Sequence, residues 1–170
     1  MSVRDLLSSP APIRTSQALQ MAIDACRGVA VLHARRPPML HRDLKASNLL
    51  VDTTGGSSSS SSSNSSAGTG ASAGGSSSWG RASAANGGRA GAFRVCVCDF
   101  GLARTKRRNQ ARLTICGTTA WLAPEVFKGE GWTEKADTYS LGIVLFELFS
   151  RRLPYEEVDS PQAVAFKVWR

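Results

Sequence analysis

Three short motifs carry the residues best equipped for chemistry. His41-Arg42-Asp43-Leu44-Lys45-Ala46-Ser47-Asn48 sets an aspartate, a lysine and an asparagine within one stretch. Asp99-Phe100-Gly101 adds a second aspartate directly after an alternating segment, Arg94 to Cys98. Ala123-Pro124-Glu125 follows. A carboxylate can meet a hydroxyl and accept its proton. Other carboxylate and amide oxygens suit magnesium, a hard cation that takes oxygen ligands. Phosphoryl transfer needs such a set, because it rests on positioning and charge neutralisation.

His41 to Asn48 fits H-R-D-x-x-x-x-N at each fixed position, and the motifs occur in the order D-F-G, then A-P-E. Through these residues the sequence resembles the eukaryotic protein kinases. The resemblance implies that Asp43 orients a substrate hydroxyl and accepts its proton. It implies that Asn48 and Asp99 bind metal, and that Lys45 reaches the transferred phosphate. Thr118 would touch Asp43 and Lys45, and Leu50 would lie under the adenine ring. His41 and Phe100 would stack to align the two loops, with Gly101 completing the metal-binding tripeptide. Asp137 would accept hydrogen bonds from the catalytic-loop backbone, and Glu125 would pair with an arginine in a later helix. The implied cofactors are ATP and Mg2+, and the implied partner is a protein substrate. Read without the resemblance, Asp43 and Asp99 are ordinary turn aspartates.

Thr114-Ile115-Cys116-Gly117-Thr118 resembles the stretch where many kinases carry an activating phosphate. Thr114 is then the candidate phosphosite for an upstream activating kinase, with Arg42 as its partner, since a phosphate adds charge and acceptors that arginine can pair with. Thr105 is a second candidate, and a plain solvated threonine is the alternative for Thr114. Lys45 favours serine/threonine over tyrosine specificity. Gly117 to Glu125, Asp137 to Glu147 and Leu32 to Asp52 resemble the tyrosine-kinase-like group, which includes Raf and the mixed-lineage kinases.

These motifs need elements to position them. Residues 1–14 read as an extended or loop lead-in. Residues 15–34 have helical spacing, with Leu19, Ala22, Ile23, Cys26 and Ala30 on one face. Arg35 to Pro38 end that helix, because proline removes a donor and disfavours helix before it. A loop and a short strand, Leu49 to Val51, complete a segment covering 15–52. Residues 53–92 are rich in serine, glycine and alanine, with Trp79 the sole large apolar side chain. Such a segment buries too little apolar surface to offset its ordering entropy, so a disordered insertion is expected, with a phosphorylated regulatory tail as the alternative. Residues 93–170 form the last segment: a strand from Arg94 to Cys98, a loop-like stretch from Asp99 to Glu125, and a helix capped by Thr133. That helix is apolar nearly all round, from Leu141 to Phe149, and is expected inside a core. Another helix starts within 155–170. The fold class is α+β: a mainly helical, protein-kinase-like large-lobe fragment whose small hairpin is split by the insertion.

The net charge of +8 raises the question of nucleic acid or anionic membrane. The basic residues are scattered, with Lys106, Arg107 and Arg108 as the tight cluster, and no aromatic–basic interleaving of the base-stacking kind is present. No nucleic acid partner is expected. The most apolar stretch, Leu141 to Phe149, is too short to span a bilayer and contains Glu147, so no membrane partner is expected either. Cys96 and Cys98 alternate with Val95 and Val97 as strand residues; C-x-C without a second pair is a weak metal signal. Free thiols fit a reducing cytoplasmic or nuclear compartment.

The resemblance therefore implies a protein serine/threonine kinase that transfers the ATP γ-phosphate to a protein hydroxyl. It also implies a small lobe before residue 1, supplying a glycine-rich loop, a strand lysine and a helix glutamate. On that basis the chain alone is expected to have little activity. The alternatives are a non-catalytic binding module and a decayed kinase copy.

Overall fold

A computed structural model describes residues 1–52, 94–105 and 116–169. The expected insertion at 53–92, the basic cluster Lys106 to Arg108 and Thr114 lie outside the described residues. The chain begins with a helix, α1 (Val3–Ser8), where a loop lead-in is expected. The sequence reading missed a capping box. Ser2 Oγ accepts from the Asp5 N–H at 3.1 Å, while Asp5 Oδ2 accepts from the Ser2 N–H at 2.9 Å. Val3, Leu6 and Leu7 are buried, so this short helix is held by packing as well as by its cap.

Helix α2 (Thr15–His33) forms as expected, but its buried stripe is different. Ala18, Met21, Ala22, Ala25, Val29 and Leu32 face the core. Leu19 is 53% exposed, and Ile23 and Cys26 are exposed too. Small alanines at 18, 22 and 25 let α2 approach its neighbours closely, which a count of large apolar residues undervalues. Gly28 shows the same close approach: a Cβ there would lie 2.6 Å from Val97 Cγ2.

Strand β1 (Met39–Leu40) is followed by the loop that carries His41 to Lys45, a 3-10 turn at Ala46–Asn48 and strand β2 (Leu49–Asp52). Strand β3 (Arg94–Val97) pairs antiparallel with β2, matching Leu49 to Val97 and Leu50 to Cys96. The hairpin expected across the insertion is therefore present. A second two-stranded sheet joins β1 to β4 (Arg104–Thr105), a pairing too short to show periodicity in the sequence. The edge of β3 is closed by α2, where Asp24 Oδ2 accepts from the Val95 N–H at 3.2 Å.

The stretch expected as loop from Asp99 to Glu125 contains 3-10 turns at Phe100–Leu102 and Thr119–Trp121, and the start of α3 (Pro124–Phe127). Thr133 caps α4 (Glu134–Ser150), its hydroxyl accepting from the Lys135 N–H at 3.3 Å. Helix α5 (Pro161–Trp169) follows. One core joins α1, α2, β2, β3 and α4 through Leu7, Met21, Leu49, Val95 and Val144. A second, smaller core gathers Leu40, Leu122, Val126 and Trp132. Helix α4 is not buried all round: Phe146 and Phe149 are exposed, and Phe149 reaches 54%. Its inward face instead carries two charged residues, Asp137 and Glu147, each fully buried. At its C-terminus Arg151 takes a left-handed conformation, φ 59°, and reaches back to the carbonyls of Leu7, Ser9 and Ala11. That link ties the ends of α1 and α4 together.

Candidate active site

Asp137 organises the segment that carries Asp43. Its Oδ2 accepts from the His41 N–H at 2.8 Å and its Oδ1 from the Arg42 N–H at 2.9 Å. His33, at the end of α2, places Nε2 2.9 Å from Oδ2. A buried carboxylate this well partnered is tolerated, whereas a lone one would be costly. The bonds also hold Arg42 at φ 67°, a conformation that non-glycine residues adopt at a cost of roughly 1–3 kcal/mol. Gly117, at φ 97°, passes so close that a Cβ would sit 2.6 Å from the Arg42 carbonyl oxygen. A side chain at 117 would push the two loops apart.

The chain reverses at Arg42, and Asp43 then meets three side chains. Its Oδ1 accepts from the Thr118 N–H at 3.1 Å and from the Thr118 hydroxyl at 2.9 Å. Its Oδ2 lies 2.9 Å from Lys45 Nζ and accepts from Asn48 Nδ2 at 3.0 Å. Lys45 Nζ also donates to the Thr118 hydroxyl at 2.8 Å. Burial pushes the Asp43 carboxyl upward, but the hydrogen bonds from Lys45 and Thr118, the Lys45 charge and the Asn48 bond outweigh it. The group rests below the usual carboxylate range and is ionised at neutral pH.

His41 couples this loop to the D-F-G tripeptide. Its Nδ1 accepts from the Asp43 N–H at 3.3 Å, which leaves the proton on Nε2 to donate to the Cys98 carbonyl at 2.9 Å. Its ring meets Phe100 with centroids 5.4 Å apart and planes tilted by 57°, an edge-leaning contact rather than a parallel stack. The Cys98 N–H donates to the Asn48 carbonyl at 2.9 Å, joining the two motifs directly. Asp99 sits at φ 61°, exposed, and its Oδ1 accepts from the Gly101 N–H at 3.2 Å. Burial, then the neighbouring Asp99 charge, push the Cys98 thiol up.

The structure thus brings together Asp43, Lys45, Asn48 and Thr118, with His41, Phe100, Gly101 and Asp137 in the supporting positions. Leu50 lies on the exposed face of β2, 45% accessible. Glu125 is half-buried in the first turn of α3. Arg42 donates from Nε to the Leu102 carbonyl at 2.6 Å, with its guanidinium carbon 5.9 Å from the centre of the Trp132 ring. Thr114 lies outside the described residues, so its expected pairing with Arg42 has one described member.

Sequence reasoning missed Glu147, Trp121 and His33. Trp121 Nε1 donates to Glu147 Oε2 at 2.7 Å, and the Ala46 N–H donates to the same oxygen at 3.2 Å. A glutamate inside an apolar run was the available signal, since a buried acid requires donors. Burial holds the Glu147 carboxyl above its ordinary value, despite these bonds and the nearby Arg4 charge.

The family model for the protein kinase domain matches residues 1–168. The chain belongs to the protein kinase family. It is 40% identical over 146 residues to probable serine/threonine-protein kinase drkD of Dictyostelium discoideum, covering 86% of this chain and 8% of that protein. It is 34% identical over 148 residues to serine/threonine-protein kinase CTR1 of Arabidopsis thaliana, covering 86% of this chain and 13% of that one. Dual specificity protein kinase shkA of D. discoideum is 34% identical over 146 residues, covering 84% of this chain and 20% of that protein. The chain therefore spans a minor part of these curated relatives. The solved structure of the yeast RNA Pol II CTD kinase CTDK-1 complex superposes with a TM-score of 0.67 at 20% identity, over 98% of this chain and 42% of that one. At that identity the likeness establishes the fold. Among the described residues, no helix of this kinase chain is long and apolar enough to cross a membrane.

Proposed function

We propose that this chain carries the phosphoryl-transfer centre of a protein serine/threonine kinase. The observation that supports it most is the Asp43 carboxylate, kept ionised and aimed by Lys45, Thr118 and Asn48. Asp43 receives a serine or threonine hydroxyl and takes its proton as the oxygen attacks phosphorus. Thr118 holds one carboxylate oxygen in place. Lys45 sits close enough to share its charge between Asp43 and an incoming phosphoryl oxygen.

The residues present fit a magnesium–nucleotide group. Asn48 spends its Nδ2 on Asp43, through the carboxylate and through the main-chain carbonyl at 2.8 Å, so Oδ1 is turned to serve as an acceptor. Asp99 is exposed, with one oxygen on Gly101. Together they offer the oxygen ligands magnesium prefers. ATP, when bound with magnesium, supplies the phosphoryl group and Leu50 offers an apolar surface for its base. The free thiols of Cys26, Cys96, Cys98 and Cys116 fit a reducing cytoplasmic or nuclear compartment.

The test is magnesium-dependent phosphate transfer to serine peptides by the polypeptide that carries this chain. Asp43→Asn keeps the shape and removes the proton acceptor. A loss of about 100-fold or more is expected. Wild-type rates in the Asp43→Asn variant, or no transfer by wild type, would return the case to the binding-module reading.

A further inference from the structure

Little holds the Asp99 side chain in place directly. It is exposed, and among the described residues its carboxylate bonds only to the Gly101 N–H, two residues on. Its position is therefore inherited from β3, the four-residue strand that ends just before Cys98 and Asp99. This inference rests on the proposed kinase reading, in which Asp99 is a magnesium ligand.

Strand β3 has one neighbouring strand, β2. Its C-terminal end is tied to the loop that carries Asp43. There the Cys98 N–H donates to the Asn48 carbonyl and His41 Nε2 donates to the Cys98 carbonyl, each at 2.9 Å. Helix α2 holds the rest of the strand at two points. Asp24 Oδ2 accepts from the Val95 N–H at 3.2 Å, and Gly28 lies so near Val97 that a Cβ would sit 2.6 Å from its Cγ2. Asp24 and Gly28 are four residues apart, about 6 Å along a helix. Val95 and Val97 are two residues apart, about 7 Å along a strand. The two contacts are thus in register. The first fixes the slide of β3 along α2, and the second fixes its distance from the helix. Asp24 is itself held ready. Gln20 Nε2, one turn earlier, donates to its Oδ1 at 3.0 Å, and Arg27 Nη1 lies 3.8 Å from the same oxygen. Val95 is buried, so its N–H needs the acceptor that Asp24 supplies.

We propose that Asp24 and Gly28 are positioning residues for Asp99, setting through β3 where that carboxylate stands beside Asn48 and so how tightly the pair holds a divalent cation.

Titration of the full chain with Mn2+, a cation that suits the same oxygen ligands as magnesium, tests this without nucleotide or phosphate transfer. The readout is paramagnetic broadening of the Gly101 amide signal, with Asp99→Asn as the reference for a site lacking its ligand. Asp24→Leu keeps the volume and removes the acceptor. Its half-broadening concentration should rise about five-fold, the worth of one net hydrogen bond. Asp24→Asn keeps one acceptor oxygen for Val95, and Gln20 can turn its amide to match, so this variant should stay within about two-fold of wild type. Gly28→Ala displaces the strand from the other contact and should raise the midpoint as well. A purely structural role would lower the melting temperature of Asp24→Leu and Gly28→Ala and leave the Mn2+ midpoints where they are. Cooperative thermal unfolding confirms that each variant is folded, and Gly28→Ala decides the matter where Asp24→Leu is not. An unmoved midpoint in either folded variant, equal losses in Asp24→Leu and Asp24→Asn, or a Gly101 signal that Mn2+ leaves sharp in wild type or broadens equally in Asp99→Asn overturns the proposal. Failure of the kinase reading would show as absent Asp43-dependent transfer with the midpoint shifts intact. Failure of this proposal alone would show as unmoved midpoints with that transfer intact.

Discussion

Helix α4 buries two carboxylates, and they live differently. Asp137 has both oxygens engaged, by the His41 and Arg42 N–H groups and by His33. Glu147 has both of its donors on one oxygen and none on the other. Both are fully buried on the same helix, so burial alone does not separate them. The difference lies in what they face. Asp137 faces a backbone turn whose amides have no ladder partner. Glu147 is buried behind the wall of a cavity, where a single oxygen meets donors. A satisfied buried acid fixes a loop, while a half-satisfied one carries the desolvation cost of its unpartnered oxygen.

The largest effect that would break this contrast is loss of the Asp137 carboxylate. Asp137→Ala leaves the His41 and Arg42 amides and His33 without their acceptor in the interior. Chemical denaturation should show a loss of about 3–5 kcal/mol, the range for removing one member of a buried charged network. Phosphate transfer should fall with it, because Arg42 would no longer be held at φ 67°. Glu147→Gln should cost far less, about 1 kcal/mol or under, since Oε2 can be replaced by the amide oxygen facing Trp121 and Ala46.

The pH dependence sharpens the same comparison. Burial holds Glu147 above its ordinary 4.5, so the folded protein binds that proton more readily than the unfolded chain. Its contribution is fully present below the unfolded value and is lost as pH rises through the folded one. The deficit of Glu147→Gln against wild type should therefore shrink as pH rises above the ordinary 4.5 and through the raised folded value. Asp43 behaves in the opposite sense, being held below its ordinary 3.8. Its contribution is present above that value and is lost as pH falls through the depressed folded one. Asp43→Asn should thus be most destabilising near neutrality and approach wild type in strong acid. Thermal melts across pH separate the two slopes.

The outer face of α4 gives the smallest effect. Phe149 is 54% exposed, and Phe149→Ser should change stability by no more than about 0.5 kcal/mol. A loss of several kcal/mol would mean that this face is covered.

These carboxylates also mark how far the sequence could be read. The meeting of Asp43 with Asn48, and of Asp137 with the loop before them, was legible because the motifs have fixed spacing in the family they resemble. The hairpin was legible because Val95 and Val97 alternate with Cys96 and Cys98. Glu147 was not, because its role comes from Trp121 and Ala46, 26 and 101 residues away in sequence. Contacts at that separation leave no periodicity to read. The buried stripe of α2 was misplaced for a related reason. Alanines at 18 and 25 are buried by close approach of neighbouring elements, which a search for large apolar side chains passes over, and only Ala22 is shared by the expected and the observed face. Helix α1 was missed because its capping box sits at the start of a run too short to show a helical period.

The central claim is that one buried carboxylate on α4 holds the loop that carries Asp43 in its shape. Hydrogen exchange at the His41 and Arg42 amides tests it most directly, in wild type and in the near-isosteric Asp137→Asn. An asparagine has one acceptor oxygen, so it can serve one of the two amides and must present its own N–H groups to the other. The account predicts slow exchange at both amides in wild type and loss of protection at one of them or both in the variant, with Glu147→Gln leaving both slow. Equal protection in wild type and Asp137→Asn would contradict it.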